Sequence, residues 1–243
     1  MRTTKSRSYD DGCATAHALD LIGERWALLV VRELLFGPKR FTDLRTDLRT
    51  ISPNVLTQRL ETLEETGIVR RRKLPPPAAS WIYELTEWGS QLEDTIVTLG
   101  KWAARSPFLE QGLPISRAGL LLAMRAMYTP QDDGGFCVCL DMPDGTSVVT
   151  GTPEGFDIRF GDEALKATQA VFSGTSQVLD SILFGGVTVE AAVKAGDARI
   201  TGDMEAMHRL LQAFPMPSAA PDTTPDPGDH GPAVGTTKAR SLS

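Results

Sequence analysis

The chain is poor in the residues that mark several large classes of protein. It holds three cysteines, Cys13, Cys137 and Cys139, in 243 residues and no CxxC pair. A disulfide-stapled secreted scaffold does not fit that count, and a reducing, cytoplasmic compartment is expected. The longest strongly apolar run covers residues 27–31, far short of the roughly 20 residues that cross a bilayer. The basic residues at the N-terminus are followed by no apolar stretch, unlike a signal peptide. The three histidines, His17, His208 and His230, are far apart, and no GxSxG, HExxH, GxGxxG or phosphate-loop pattern occurs. An enzyme has little to stand on here, and neither a metal nor a cofactor is expected. Basic residues are also in deficit, 25 Lys+Arg against 31 Asp+Glu, for a net charge of -6. Taken as an average, that argues against a nucleic-acid binder and against a polybasic membrane-surface protein.

What is present reverses part of that reading. Hydrophobic residues make up 41% of the chain, enough for a real core, and the length is comfortable for two domains of about 100–200 residues each. The charge is unevenly spread. Residues 1–105 carry +2 and residues 106–243 carry -8, while residues 39–73 alone gather +4. The chain divides into a first domain over 1–105, a connector helix over 106–127, a second domain over 128–215 and a tail over 216–243. The tail is rich in Pro, Gly, Ser, Thr and Asp and is expected to be disordered.

Within the first domain, residues 14–22 have helical apolar spacing. Trp26, Leu29, Val30 and Leu34 form the next apolar face, closed by Gly37 and Pro38. A short helix over 41–48 follows. Ser52 and Pro53 then suit the N-cap and first turn of a helix over 53–66. Leu56, Leu60 and Leu63 form its core stripe, and Asn54, Gln58 and Glu61 point away from it, with Thr57 on its flank. Short polar side chains in such a position can read base edges in a major groove. Residues 68–74 and 81–85 read as two strands separated by Pro75, Pro76 and Pro77. A final helix is expected after Thr86, with the stripe Trp88, Leu92, Ile96, Leu99 and Trp102. Helices, strand, loop, strand and helix in that order make a winged helix-turn-helix.

The segments ALDLIGERW, ELLFGPKRF, ISPNVLTQRLETLEETGIVRR and YELTEWG, in that order, resemble the HxlR-type winged helix-turn-helix transcription regulators over about residues 13–104. The resemblance implies a dimeric regulator that binds a double-stranded DNA operator. Asn54, Thr57 and Gln58 would then lie in the major groove, with Ser52 and Arg59 on the same helix. Lys39, Arg40, Arg70, Arg71, Arg72 and Lys73 would lie near phosphates. Two departures stand out. Cys13 is followed by Ala14 where the family usually has proline, and the wing loop, Pro76 to Trp81, lacks the family's arginine.

The second domain reads as α+β. A helix is expected over 115–128, strands over 136–140, 146–150 and 156–160, helices over 163–172, 177–184 and 189–195, a strand over 196–200 and a closing helix over 203–214. The segment LDSILFGGVTVEAAVKAGDARITGDMEAMHRLLQAF resembles the sterol-carrier-protein family, a resemblance that covers about residues 128–214 and implies a sheet with helices folded over an apolar ligand cavity. Val148, Phe156, Ile158, Phe172, Leu179, Ile182 and Leu183 are candidate lining residues for a hydrophobic small-molecule effector. Core packing accounts for most such residues.

Cys13 matches a position that some relatives of the HxlR type use as a redox sensor. Asp10 and Asp11 beside it are expected to raise its pKa and blunt its reactivity. Cys137 and Cys139 share one face of a strand and are expected to pack in a core. Three functions stay open: a regulator, read as a repressor, whose operator affinity follows an apolar effector; a thiol-based regulator acting through Cys13; and a carrier whose winged helix mediates protein contacts.

Overall fold

The computed structural model describes residues 8–131, 134–161 and 167–222. The first half contains α1 (Ala14–Ile22), α2 (Ala27–Leu34), α3 (Phe41–Asp47), α4 (Pro53–Glu65), β1 (Val69–Lys73), β2 (Trp81–Leu85), α5 (Glu87–Ser90) and α6 (Leu92–Ala103). Ser52 caps α4 by accepting from the Val55 amide at 3.3 Å, and Pro53 fills the first turn, where its missing N–H costs nothing. The leucine stripe of α4, Leu56, Leu60 and Leu63, is buried against Val30, Val31, Leu34, Leu44 and Ile68. β1 and β2 pair antiparallel, Val69 opposite Leu85 and Lys73 opposite Trp81. The main chain of Lys39 adds a short third rung to this wing, with bonds of 3.0 and 2.8 Å to Tyr83.

Two expectations for this half are corrected. The helix after Thr86 is broken at Gln91 into α5 and α6. Gly89 lies so close to the carbonyl of Ile68 that no side chain fits there, so the first turn is set by contact with the β1 side of the domain. The expected face of α2 also differs. Leu29 is exposed, and Glu33 is buried in its place alongside Ala27, Val30, Val31 and Leu34.

The second half contains α7 (Arg117–Met127), β3 (Phe136–Met142), β4 (Gly145–Thr152), β5 (Gly155–Arg159), β6 (Ala170–Gly174), α8 (Ser176–Leu183), α9 (Val189–Ala195), β7 (Ala198–Gly202) and α10 (Met204–Gln212). Its five strands run in the order β5-β4-β3-β6-β7, antiparallel except for the β3–β6 pair. The expected helix over 163–172 is corrected where it can be seen: Ala170 to Gly174 form a strand beside β3, and residues 162–166 lie outside the described residues. A short apolar run such as Ala170-Val171-Phe172 fits either period, and only the partner strand decides it.

One sheet face carries Phe136, Val138, Leu140, Val149, Ile158 and Phe172. It packs on Leu120, Leu121 and Met124 of α7, Leu179 and Ile182 of α8, and Met207 and Leu210 of α10. Helix α7 serves both halves: Leu122 joins the core formed by α2, α4 and β1, while its neighbours Leu120 and Leu121 join the sheet core. Of the tail, residues 223–243 lie outside the described residues. Its first stretch returns to the segment just after α6, where the Arg105 carbonyl accepts from the Ala220 amide and its guanidinium donates to the Ser218 carbonyl.

Candidate nucleic-acid interface

Helix α4 turns Asn54, Thr57 and Gln58 outward, all exposed, with Ser52 exposed at its N-cap. Arg40 is exposed at the N-terminus of α3, where its amide donates to Asp43 at 3.1 Å. Alternation on β1 separates its four cations. Arg70 and Arg72 both pair with Glu84, at 2.8 and 3.1 Å, while the Arg71 guanidinium lies 4.3 Å from the centre of the Trp81 ring. Hydrogen bonds and charge from Arg72 and Arg70 outweigh partial burial and hold the Glu84 carboxyl below the usual carboxylate range; the Arg72 bond is the largest single contribution.

Two of the expected contacts are placed elsewhere. Arg59 is buried at 8% exposure and faces Glu24 at 3.5 Å, in the turn between α1 and α2. It follows Gln58 by 100° around the helix, which carries it from the outer face to the inner one. Lys39 is held between two carboxylates, Glu33 at 2.8 Å and Asp47 at 2.6 Å. Its ammonium therefore ties α2 to α3.

Sequence reasoning missed Glu33. Its carboxylate has no exposed surface and takes bonds from Arg32 (2.6 Å), Lys39 (2.8 Å) and the Ser116 hydroxyl (2.6 Å). Burial opposes its charge, but Arg32 and Lys39, together with the hydrogen bonds of Lys39 and Ser116, outweigh that and pull its pKa down. Ser116 in turn caps α7 by accepting from Gly119 at 3.0 Å. The available signal was a carboxylate one helical turn after Val30, on the apolar side of a short helix. Phe36 and Phe160, with ring centres 6.0 Å apart, and the Arg125–Glu93 ion pair complete the junction between the two halves. A cleft of about 350 Å³ opens there, lined by Phe36, Lys39, Asp47, Arg117, Leu121 and Asp144 among others.

Cys13 is exposed at the N-terminus of α1. The expectation that acidic neighbours raise its pKa is corrected. The backbone amides of Ala16 and Thr15 lower it, with help from the Thr15 side chain, because helix-terminal N–H groups stabilise a thiolate. Asp11 instead accepts the Cys13 amide at 2.9 Å. Burial raises the Cys139 thiol, with Asp141 and Cys137 adding to it.

The seven candidate lining residues do not form one surface. Phe172, Leu179, Ile158 and Ile182 are buried in the sheet core, with Phe156 and Leu183 packed against it. Val148 is buried on the opposite face of the sheet, because the register pairs its neighbour Val149 with both Ile158 and Val138. Exposed apolar side chains lie elsewhere: Trp88 on α5, Leu99 and Trp102 on α6, and Leu19 on α1. Near them a groove of about 250 Å³ is lined by Ala18, Leu21, Ile22, Trp88 and Leu92.

With this geometry in view, the comparisons give the family. The HxlR-like helix-turn-helix family matches residues 21–110. The Bacillus subtilis HTH-type transcriptional regulator YodB is 38% identical over 95 residues, which span 39% of this chain and 83% of YodB. An uncharacterized HTH-type transcriptional regulator of Mycobacterium bovis, Mb3122, is 37% identical over 105 residues, 43% of this chain and 66% of that protein. The reduced form of YodB, as a solved structure, is 35% identical with a TM-score of 0.37, covering 40% of this chain and 95% of that one. The chain belongs to the HxlR-like helix-turn-helix family. Residues 111–243 lie beyond the match to that family.

Proposed function

We propose that this chain is a dimeric DNA-binding transcription regulator whose second domain takes up a hydrophobic small molecule and alters operator affinity. The observation that carries the DNA reading is the exposed polar face of α4, Asn54, Thr57 and Gln58, next to a wing that still offers Arg71 and Lys73. Side chains of these types suit the donor and acceptor pattern of the major groove. Two copies joined through α1, α5 and α6 bury Leu19, Trp88, Leu99 and Trp102, and present two α4 helices to half-sites about 34–36 Å apart.

The effector reading is supported by α7. A molecule that enters the sheet core shifts Leu120 and Leu121, and the same helix sends Leu122 into the core of the first half, with its N-cap Ser116 bonded to Glu33. Such a molecule lowers operator affinity only if it binds the DNA-incompetent arrangement more tightly. The test is operator selection from random duplexes, followed by affinity measurements with and without the apolar compound that co-purifies with the chain. Sequence-specific binding that the compound weakens is expected. An unchanged affinity overturns the effector reading, and equal competition by all sequences overturns the regulator reading.

A second reading is favoured by one observation, the exposed and acidified thiol of Cys13. If Cys13 is the sensor, a thiol oxidant changes operator affinity and Cys13→Ser abolishes the change.

A further inference from the structure

The wing holds its four consecutive cations in two chemically different ways. Arg70 and Arg72 share the carboxylate of Glu84, whose side chain is 12% exposed. Those ion pairs consume N–H donors and cancel part of the charge. Arg71 and Lys73 lie on the other side of the strand, across from Tyr83 and Trp81. The Arg71 guanidinium is 4.3 Å from the Trp81 ring centre and 5.8 Å from that of Tyr83, and the Lys73 ammonium is 6.0 Å from Trp81. An aromatic face attracts a cation without neutralising it and leaves the in-plane N–H donors of a guanidinium free. It also restricts a long side chain before any partner arrives, which removes part of the ordering cost of binding. Trp81 itself is 48% exposed, and the loop from Pro75 to Ser80 contains no cation.

We infer that Trp81 is a positioning residue for DNA binding: its ring holds Arg71, and with it Lys73, ready for duplex phosphates. This rests on the DNA-binding reading above. The wing then reaches the backbone through the aromatic side of the hairpin, not through its loop, and Glu84 withholds Arg70 and Arg72.

The test uses the full chain and a duplex enriched by it from random sequence, titrated over a salt series beside an unrelated duplex. Arg71→Ala is expected to weaken both about fivefold and to make the salt slope shallower by about 0.9, one phosphate's worth. Trp81→Leu keeps every formal charge and an apolar side chain but has no π face; it is expected to lose about threefold and to flatten the slope as well. Trp81→Phe should recover most of that loss, and the double variant Arg71→Ala, Trp81→Leu should lose less than the product of the two single losses, the remainder being the share carried by Lys73. Thermal melts establish that each variant is folded. Wild-type affinity and slope in Trp81→Leu, or losses that add fully in the double variant, overturn the inference. If the wild-type chain itself enriches no duplex, the DNA-binding reading fails instead, and the two failures are distinct.

Discussion

Individual side chains in this chain change role over a few ångströms. Cys13 lies beside two aspartates in sequence, yet the amides of the first turn of α1 lower its pKa, while the Asp11 carboxylate accepts the Cys13 amide. Iodoacetamide is therefore expected to modify Cys13 ahead of Cys139, with a rate midpoint at a lower pH than for an unstructured cysteine peptide. A midpoint at or above the peptide's contradicts the geometry. Gln58 and Arg59 are adjacent, but one turns outward and the other lies against Glu24. Gln58→Ala is expected to relax base preference at one or two positions of a selected operator with little change in melting temperature, a difference readable by repeating the selection. Arg59→Ala should instead lower stability, by about 1–3 kcal/mol, since it removes a buried side chain and its ion pair.

The elements are held by polar contacts that their own sequences do not reveal. Helices α2, α3 and α7 converge on Glu33, Lys39, Asp47 and Ser116, with Glu33 at the centre. Glu33→Ala leaves Lys39 and Arg32 without their buried partner and is expected to cost about 2–4 kcal/mol in urea unfolding. The pH dependence has a definite sign. The folded pKa of Glu33 is lowered relative to the unfolded chain, so its stabilisation is present above the ordinary glutamate range and is lost as pH falls through the folded value. Glu33→Gln should flatten that acid limb of the stability profile. In the wing, Glu84→Gln frees two arginines and is expected to raise affinity for all duplexes severalfold, with a steeper salt slope.

For the molecule as a whole, α7 makes the two halves mechanically continuous. One helix supplies Leu122 to the first core and Leu120, Leu121 and Met124 to the second, and Phe36 meets Phe160 across the junction. The exposed face of α5 and α6 completes the assembly argument. Trp102, at 74% exposure, and Leu99 are costly to leave in water. Trp102→Asp together with Leu99→Asp should turn a dimer into a monomer by sedimentation equilibrium and reduce operator affinity more than either half-site contact alone. A dimer that survives both changes places the interface elsewhere.

The sequence by itself determined most of the elements of the first half. Caps and periodicity are local, so Ser52-Pro53 and the leucine stripe of α4 were legible, as was the split of charge between the halves. The two strands of the wing were legible too, on either side of the three prolines. The tertiary structure decided the rest, because each remaining question turned on a partner distant in sequence. Ala170 to Gly174 became a strand through β3, more than 30 residues earlier. Lys39 was drawn into ion pairs with Glu33 and Asp47, and Val148 was set on the far side of the sheet from Ile158 by register. The stripe expected to anchor the helix after Thr86 remained mostly outside, since Ile96 alone among those five side chains is buried. Apolar spacing states that a face will be covered; only the fold determines whether the same chain covers it.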